Sequence, residues 1–236
     1  MDHIHIKNKQ AVRKFIEAVW YVIRSGCQWR LLPEYYGKWR TIHKRFKSWS
    51  DKKIWKNIME QCVNSDEEYA IIDTTIVRSH ACSAGFYKYT SHKEALGRSV
   101  GGFTTKIHAL VDSLGNPLKF ILTPGNKHDI AEAKNLLKDS NAAYVLADRG
   151  YHSKALSSFI KSKNAFPVIP SKSNSKNPES YDKIIYKERH LVENFFSKIK
   201  QFRRIFSRFD KYADTLWWKI FYLIDSKINT CISAIQ

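Results

Sequence analysis

The sequence predicts a mixed α/β sheet flanked by helices, behind a small all-α module. Three observations carry this. A helical hydrophobic pattern is confined to roughly the first 60 residues. After Asp66-Glu67-Glu68 it gives way to β-branched, extended segments. Beyond that point the elements run as three strands, a helix, a strand, a helix, a strand and a closing helix, an order that specifies a sheet with one parallel half. The change of pattern divides the chain into a basic helical module over residues 1–64 and a second unit over 65–236.

Residues 11–25 (AVRKFIEAVWYVIRS) place Val12, Phe15, Ile16, Val19, Val22 and Ile23 at helical spacing, and Gly26 supplies a stop. A connector, CQWRLLPEYYGKW, follows, and residues 40–60 resume the pattern through Ile42, Phe46, Trp49, Ile54, Trp55 and Ile58. Residues 1–60 hold 14 Lys and Arg against 5 Asp and Glu, with Trp29, Trp39, Trp49 and Trp55 interleaved. Such a module suits DNA backbone contacts. The same tryptophans can form the core of a helical bundle, and the two readings are compatible.

The segment YAIIDTTIVRSH has the length and β-branching of a central strand, with Asp73 in its apolar middle. A carboxylate there must be paired, hydrogen-bonded or metal-bound. The stretch ACSAGFYKYTSHKEALGRSVGG is small, polar and Gly-containing, and reads as a loop able to order around a ligand. Residues 103–112 and 118–123 are strands joined by the hairpin-type connection Ser113-Leu114-Gly115-Asn116-Pro117. Asp129, with Glu132 three residues on, opens a crossover helix. AAYVLAD is a buried strand ending in Asp148, HSKALSSFIKSK a further helix, AFPVIP the fifth strand, and residues 171–183 a polar loop.

The closing stretch, residues 186–209 (YKERHLVENFFSKIKQFRRIFSRF), has no Gly or Pro and predicts one helix of about six turns. Phe195, Ile199, Phe202, Phe206 and Phe209 make an apolar stripe, while Tyr186, Arg189, Glu193 and Lys200 fall within an arc of roughly 60° on another side. Taken alone, that second face can be a solvated one with an Arg189–Glu193 pair at i, i+4. Arg203, Arg204 and Arg208 extend the basic surface beyond Lys200, toward phosphates.

Composition narrows the function classes. The formal charge of +18, from 40 Lys and Arg against 22 Asp and Glu, points to a polyanionic partner, nucleic acid first. No apolar run approaches the roughly 18–20 residues that cross a bilayer, and MDHIHIKNKQ lacks the apolar core of a signal peptide. No membrane partner and a cytoplasmic, nucleoid-associated location are expected. Cys27, Cys62, Cys82 and Cys231 show no CxxC pairing, which argues against a zinc knuckle or a disulfide framework.

The element order is that of ribonuclease H-like folds with a mixed five-stranded sheet. Asp73 on the first strand, Asp148 at the end of the fourth and Glu193 on the closing helix can then converge at one sheet edge. Converging acids need a cation. Oxygen-only ligands favour Mg²⁺ or Mn²⁺, and two such ions support in-line phosphoryl transfer. The expected chemistry is phosphodiester cleavage and transfer.

These features resemble the insertion-sequence DDE transposases of the IS-four/IS-five superfamily. Tyr186, Arg189, Glu193 and Lys200 match that group's Y-two-R-three-E-six-K signature, and IDTTIVRSH and ADRGY are similar to the segments bearing its first and second acids. LGRSVGGFTTKIHALVDSLGNPLKFILTPG and ENFFSKIKQFRRIFSRFDK resemble the IS-five side, and the likeness spans about residues 11–212. It implies that Asp73, Asp148 and Glu193 are catalytic and hold two divalent ions, Mg²⁺ or Mn²⁺. Tyr186, Arg189 and Lys200 would hold DNA near a transposon end. The implied partners are double-stranded DNA, as terminal inverted repeats and as target, and a second copy of the chain in a synaptic homodimer.

In many relatives of that family the helical module begins further upstream than Met1 allows here, and Val100 stands where they often carry a basic residue. A shortened, noncatalytic DNA-binding remnant is therefore the alternative from another class, and a stand-alone nuclease the alternative enzyme. His80, His108, His128 and His152 lie near the expected site without ligand spacing to one another, so direct function competes with local hydrogen bonding. Arg149 either contacts DNA or pairs with an acid.

Overall fold

The computed structural model describes residues 8–55, 57–58, 68–83, 94–175 and 178–224. The expected boundary between residues 64 and 65, Cys62, Cys231 and residues 84–93 of the expected loop lie outside these residues.

Helix α1 (Lys9–Ser25) starts where Asn8 accepts the Ala11 N–H at 2.9 Å and ends at Gly26, in the left-handed region at φ 67°. A Cβ on Gly26 would also stand 3.1 Å from the Cβ of Arg203, so the glycine serves the stop and the close approach of a distant segment. The apolar residues predicted for α1 are all buried. Helix α2 (Trp39–Asp51) packs across it through Phe46. Trp55 fills the gap, with ring centroids 5.9 Å from Phe15, 5.9 Å from Phe46 and 4.9 Å from Trp49.

The sheet is built around β1 (Tyr69–Ser79). On one side β1 pairs antiparallel with β3 (Gly102–Val111), which pairs antiparallel with β4 (Pro117–Pro124). On the other, β5 (Tyr144–Ala147) and β6 (Phe166–Val168) follow in parallel. These are the five expected strands. Two short ones raise the count to seven: β2 (Gly97–Ser99) along the start of β3, and β7 (Ser207–Arg208) along the end of β1. The reason is length. β5 covers only Tyr69 to Ile72, and β7 takes up backbone groups that β1 presents beyond it at Arg78 and Ser79.

Strand alternation sends side chains into two cores. Ile71, Val77, Ile107, Ala109 and Leu146 face one side; Ala70, Ile72, Leu110, Val145 and Ala147 face the other. The second face is covered by α3 (Ala133–Leu137) and α4 (Lys154–Ser162). The first is continuous with the core of α1 and α2, so the N-terminal module lies on the sheet. Each fully buried Ile, Leu or Phe in it contributes about 1.5–3 kcal/mol.

The closing stretch departs from the single helix expected over 186–209. It divides into α5 (Lys183–Tyr186), a 3₁₀ turn over Lys187–Arg189, α6 (His190–Lys200) and α7 (Arg203–Phe206). Asp182 draws the start forward, its side chain accepting from Ile184 N at 2.7 Å and Ile185 N at 3.0 Å. The break falls at Phe202, whose backbone is extended at φ −89° and ψ 118°. Phe195 and Ile199 are buried as the stripe predicts, but beyond the break Ile205 takes the core position and Phe206 is 64% exposed. The turn also brings Ser207 and Arg208 against β1. There the Arg208 guanidinium is fully buried, donating to Thr105 Oγ1, to Asp210 O at 2.8 Å and to Lys211 O at 2.7 Å.

Helix α8 (Ala213–Ile224), which the sequence reading did not anticipate, buries Leu216, Trp218 and Ile220 in the first core. Trp217 Nε1 donates to the Phe120 carbonyl at 3.0 Å, and buried Lys219 pairs with Asp210. No helix among the described residues is long and apolar enough to cross a membrane.

Candidate catalytic site

Parallel pairing sets Ile72 opposite Ala147, and Asp73 and Asp148 are the next residues on the two neighbouring strands. Alternation puts both on the face of Ile71 and Leu146, the side covered by α6. Asp148 leaves β5 to cap the turn Arg149–Tyr151, with Oδ1 accepting the Gly150 N–H at 2.9 Å. A Cβ at position 150 would stand 3.0 Å from that oxygen, which explains the glycine. Asp73 Oδ1 accepts the Thr74 N–H at 2.7 Å.

The helix contributes from the other side. Arg189 Nη1 donates to Asp73 Oδ2 at 3.2 Å, and Arg189 Nη2 pairs with Glu193 Oε1, so one guanidinium ties the strand acid to the helix acid. The i, i+4 pair expected on the helix surface is thus present, and it reaches across to the sheet. The Arg189 guanidinium carbon lies 5.9 Å from the Tyr186 ring centre, and Tyr181 packs edge-on against Tyr186. Lys200 ends α6 half-buried.

The electrostatics link Asp73 to each of the other two acids. Burial pushes the Asp73 carboxyl up to about 6; the Thr74 N–H and Arg189 pull it down, and the negative charges of Asp148 and Glu193 push it up further. Burial also raises the Tyr186 phenol, against the influence of Arg189. Arg189 is itself held above its ordinary value: burial works against its charge, and Glu193, Tyr186 and Asp73 outweigh it. Among the described residues no three His, Cys, Asp or Glu side chains meet closely enough to hold a metal ion, and Arg189 joins two of the three acids.

Behind Asp73 runs a polar chain that sequence reasoning missed. Thr74 Oγ1 lies 2.6 Å from Tyr151 OH and 3.2 Å from His108 Nδ1, and His108 Nε2 lies 2.7 Å from Thr123 Oγ1. Burial lowers His108 to about 4, so the ring is neutral at neutral pH. The available signal was Thr74, a polar residue beside Asp73 that alternates onto the same strand face as the apolar Ala70 and Ile72. The local-hydrogen-bond alternative thus describes His108. His80 Nδ1 lies 3.1 Å from Cys82 Sγ, and His152 Nε2 lies 3.4 Å from Ser171 Oγ. His128 precedes the turn Asp129–Glu132, outside the acid group.

Two basic residues sit differently from the expectation. Arg204 is only 8% exposed, and its Nε donates to the Cys27 carbonyl at 3.0 Å with Nη2 as a second donor. It clamps the N-terminal connector instead of facing phosphate, because the break at Phe202 rotates it inward. Arg208 is buried for the same reason. Arg203 stays exposed, and so does Arg149, which makes no ion pair among the described residues. Val100 is fully exposed.

A family model described as the transposase DDE domain matches residues 64–216, and one for transposases of the IS4/5 family matches residues 5–59. The chain belongs to the DDE transposases. It is 39% identical over 110 residues to the "Putative transposase for insertion sequence element IS6501" of Brucella ovis, covering 46% of this chain and 85% of that one. An uncharacterised Sinorhizobium fredii protein, y4sN, is 35% identical over 74 residues, 31% of this transposase and 59% of y4sN. Among solved structures, the piggyBac transposase in a synaptic complex with hairpin DNA matches at a TM-score of 0.55 and 11% identity. That match covers 95% of this transposase and 66% of piggyBac, and it establishes the shared fold alone. The function is that of a DNA transposase.

Proposed function

We propose that this transposase cleaves DNA at the ends of its element and joins the freed 3′-hydroxyl to target DNA, with Asp73, Asp148 and Glu193 as the catalytic carboxylates. The observation that supports this best is the placement of Asp73 and Asp148 at corresponding positions of adjacent parallel strands, with Glu193 tied to Asp73 through Arg189.

An all-oxygen set of three acids on one face has the donor chemistry for Mg²⁺ or Mn²⁺, and the mutual charge effect on Asp73 supports their nearness. Asp73, Asp148 and Glu193 would hold the two ions. When bound, divalent ions supply a polarised water or hydroxyl and stabilisation of the leaving oxygen. In the structure Arg189 neutralises Asp73 and Glu193, so it must give them up first. A DNA phosphate is the competing partner for its guanidinium. Tyr186, Lys200 and Arg203 contribute further phosphate contacts around the helix. The Thr74–Tyr151–His108 chain holds β1, and with it Asp73, in position.

Residues 1–64 are proposed to recognise the element's terminal repeats and residues 65–236 to carry the chemistry. Pairing two ends calls for two copies of the chain. The test uses purified protein, Mg²⁺ and duplexes carrying the element end or an unrelated sequence. Nicking confined to the element end and abolished by Asp148→Ala is expected. End binding without nicking would favour the noncatalytic remnant, and cutting of both duplexes the stand-alone nuclease.

A further inference from the structure

A cleft of about 510 Å³ opens where the helical module meets the sheet. None of the three acids lines it. Its walls come from both halves of the chain: Trp29, Arg30 and Trp39 from the module, His80 from beyond β1, and Arg203 and Phe209 from before and after β7, which pairs with β1. Arg204 and Gly26 form its back, the former pinned on the Cys27 carbonyl and the latter admitting Arg203 for want of a Cβ.

Flat faces and cations alternate around this space. The His80 ring stacks on Phe209 at 4.5 Å and 25°. The Arg203 guanidinium lies 5.3 Å from the Phe209 ring centre, and that of Arg30 lies 5.9 Å from the Trp39 ring centre. Among the described residues three arginines and a histidine line the cleft and no carboxylate does, so it favours an anion. Aromatic faces interleaved with guanidinium groups suit a planar ring carrying a phosphate: bases stack on the former and phosphates pair with the latter. The volume falls within the roughly 300–1,000 Å³ of small-molecule sites, large enough for one nucleotide and far too small for a duplex.

We infer that this cleft takes one unpaired nucleotide of a DNA strand, its base among Trp29, Trp39 and Phe209 and its phosphate on Arg30 and Arg203. A protein that opens DNA ends generates such nucleotides, and holding one here would join the helical module to the sheet domain through the strand itself. The inference stands on the cleft's chemistry and does not depend on which residues carry out cleavage.

The test is a tryptophan-fluorescence titration of the full chain with the tetranucleotide dT4 and with a tetramer of abasic sites carrying the same phosphates. Saturable quenching by dT4 is expected, with the abasic tetramer binding about tenfold more weakly, the effect of losing one base–aromatic stack. Trp39→Leu should bring the two affinities together, and Arg30→Ala should weaken both. Should Trp39→Leu fail to fold, as judged by its melting curve, His80→Ala, which removes the exposed ring stacked on Phe209, is the substitute and should narrow the preference in the same direction. Equal binding of dT4 and the abasic tetramer by the parent protein, an undiminished preference in both Trp39→Leu and His80→Ala, or no dT4 binding would each overturn the inference. End-nicking activity is measured separately, so its absence would bear on the proposed chemistry and leave this result intact.

Discussion

Arg189 governs the candidate site at the scale of single residues, because it satisfies two carboxylates that would otherwise face each other's charge. The cost of burying a carboxyl there is visible at Asp73. Its pKa is raised from 3.8 to about 6 chiefly by burial, so the folded state binds more protons than the unfolded state between those values, and stability falls as pH rises through them. Asp73→Asn should therefore raise stability above pH 6 by on the order of 1 kcal/mol while abolishing end nicking. Thermal melting and the nicking assay read the two effects; a destabilised variant would refute the burial argument. His108 carries the opposite sign. Its pKa is lowered from 6.5 to about 4, so its neutral form supports the fold fully above 6.5 and that support drains as pH falls toward 4, by up to roughly 1.4 kcal/mol per unit. His108→Asn should flatten the pH dependence of urea midpoints in that window relative to the parent protein.

Periodicity made part of the closing stretch legible and concealed the rest. The shared face of Tyr186, Arg189 and Glu193 follows from local spacing, and the structure keeps those residues together. The break at Phe202 could not be read the same way, since Phe206 and Phe209 continue the stripe without a flaw. What ends the helix is remote: β1 outruns β5, and Ser207–Arg208 supplies the pairing. Helix α8 was hidden for a related reason. It carries a lysine, Lys219, in the buried face, and only the presence of Asp210 makes that acceptable. Burial lowers the Lys219 pKa and Asp210 opposes the shift. Lys219→Ala, which strands Asp210, should cost about 3–5 kcal/mol, and Lys219→Met combined with Asp210→Asn should recover most of it. Denaturant titration of the four proteins in this cycle measures the coupling. A double variant as unstable as the single one would show that packing, not the charge pair, holds α8 in place.

For the whole molecule, the surplus of +18 and its cationic faces predict DNA binding dominated by phosphate contacts. Duplex affinity should fall by about 10³–10⁵ between 50 and 200 mM salt, as for proteins making 6–10 phosphate contacts. Fluorescence anisotropy at several salt concentrations checks this, and a flat dependence would mean that the charge surplus serves something else. The sequence by itself determined the order of the five main strands and of the helices between them, the apolar face of α1, the strand positions of Asp73 and Asp148, and the helix face that carries Glu193. Each of these rests on short-range periodicity or on a motif at fixed spacing. Only the tertiary structure decided that Arg189 bridges Asp73 to Glu193, that Arg204 and Arg208 turn inward, and that the module and the sheet enclose a cationic, aromatic cleft. Those outcomes depend on which polar and apolar groups meet across more than a hundred residues of chain, and chain separation of that size leaves no local pattern to read.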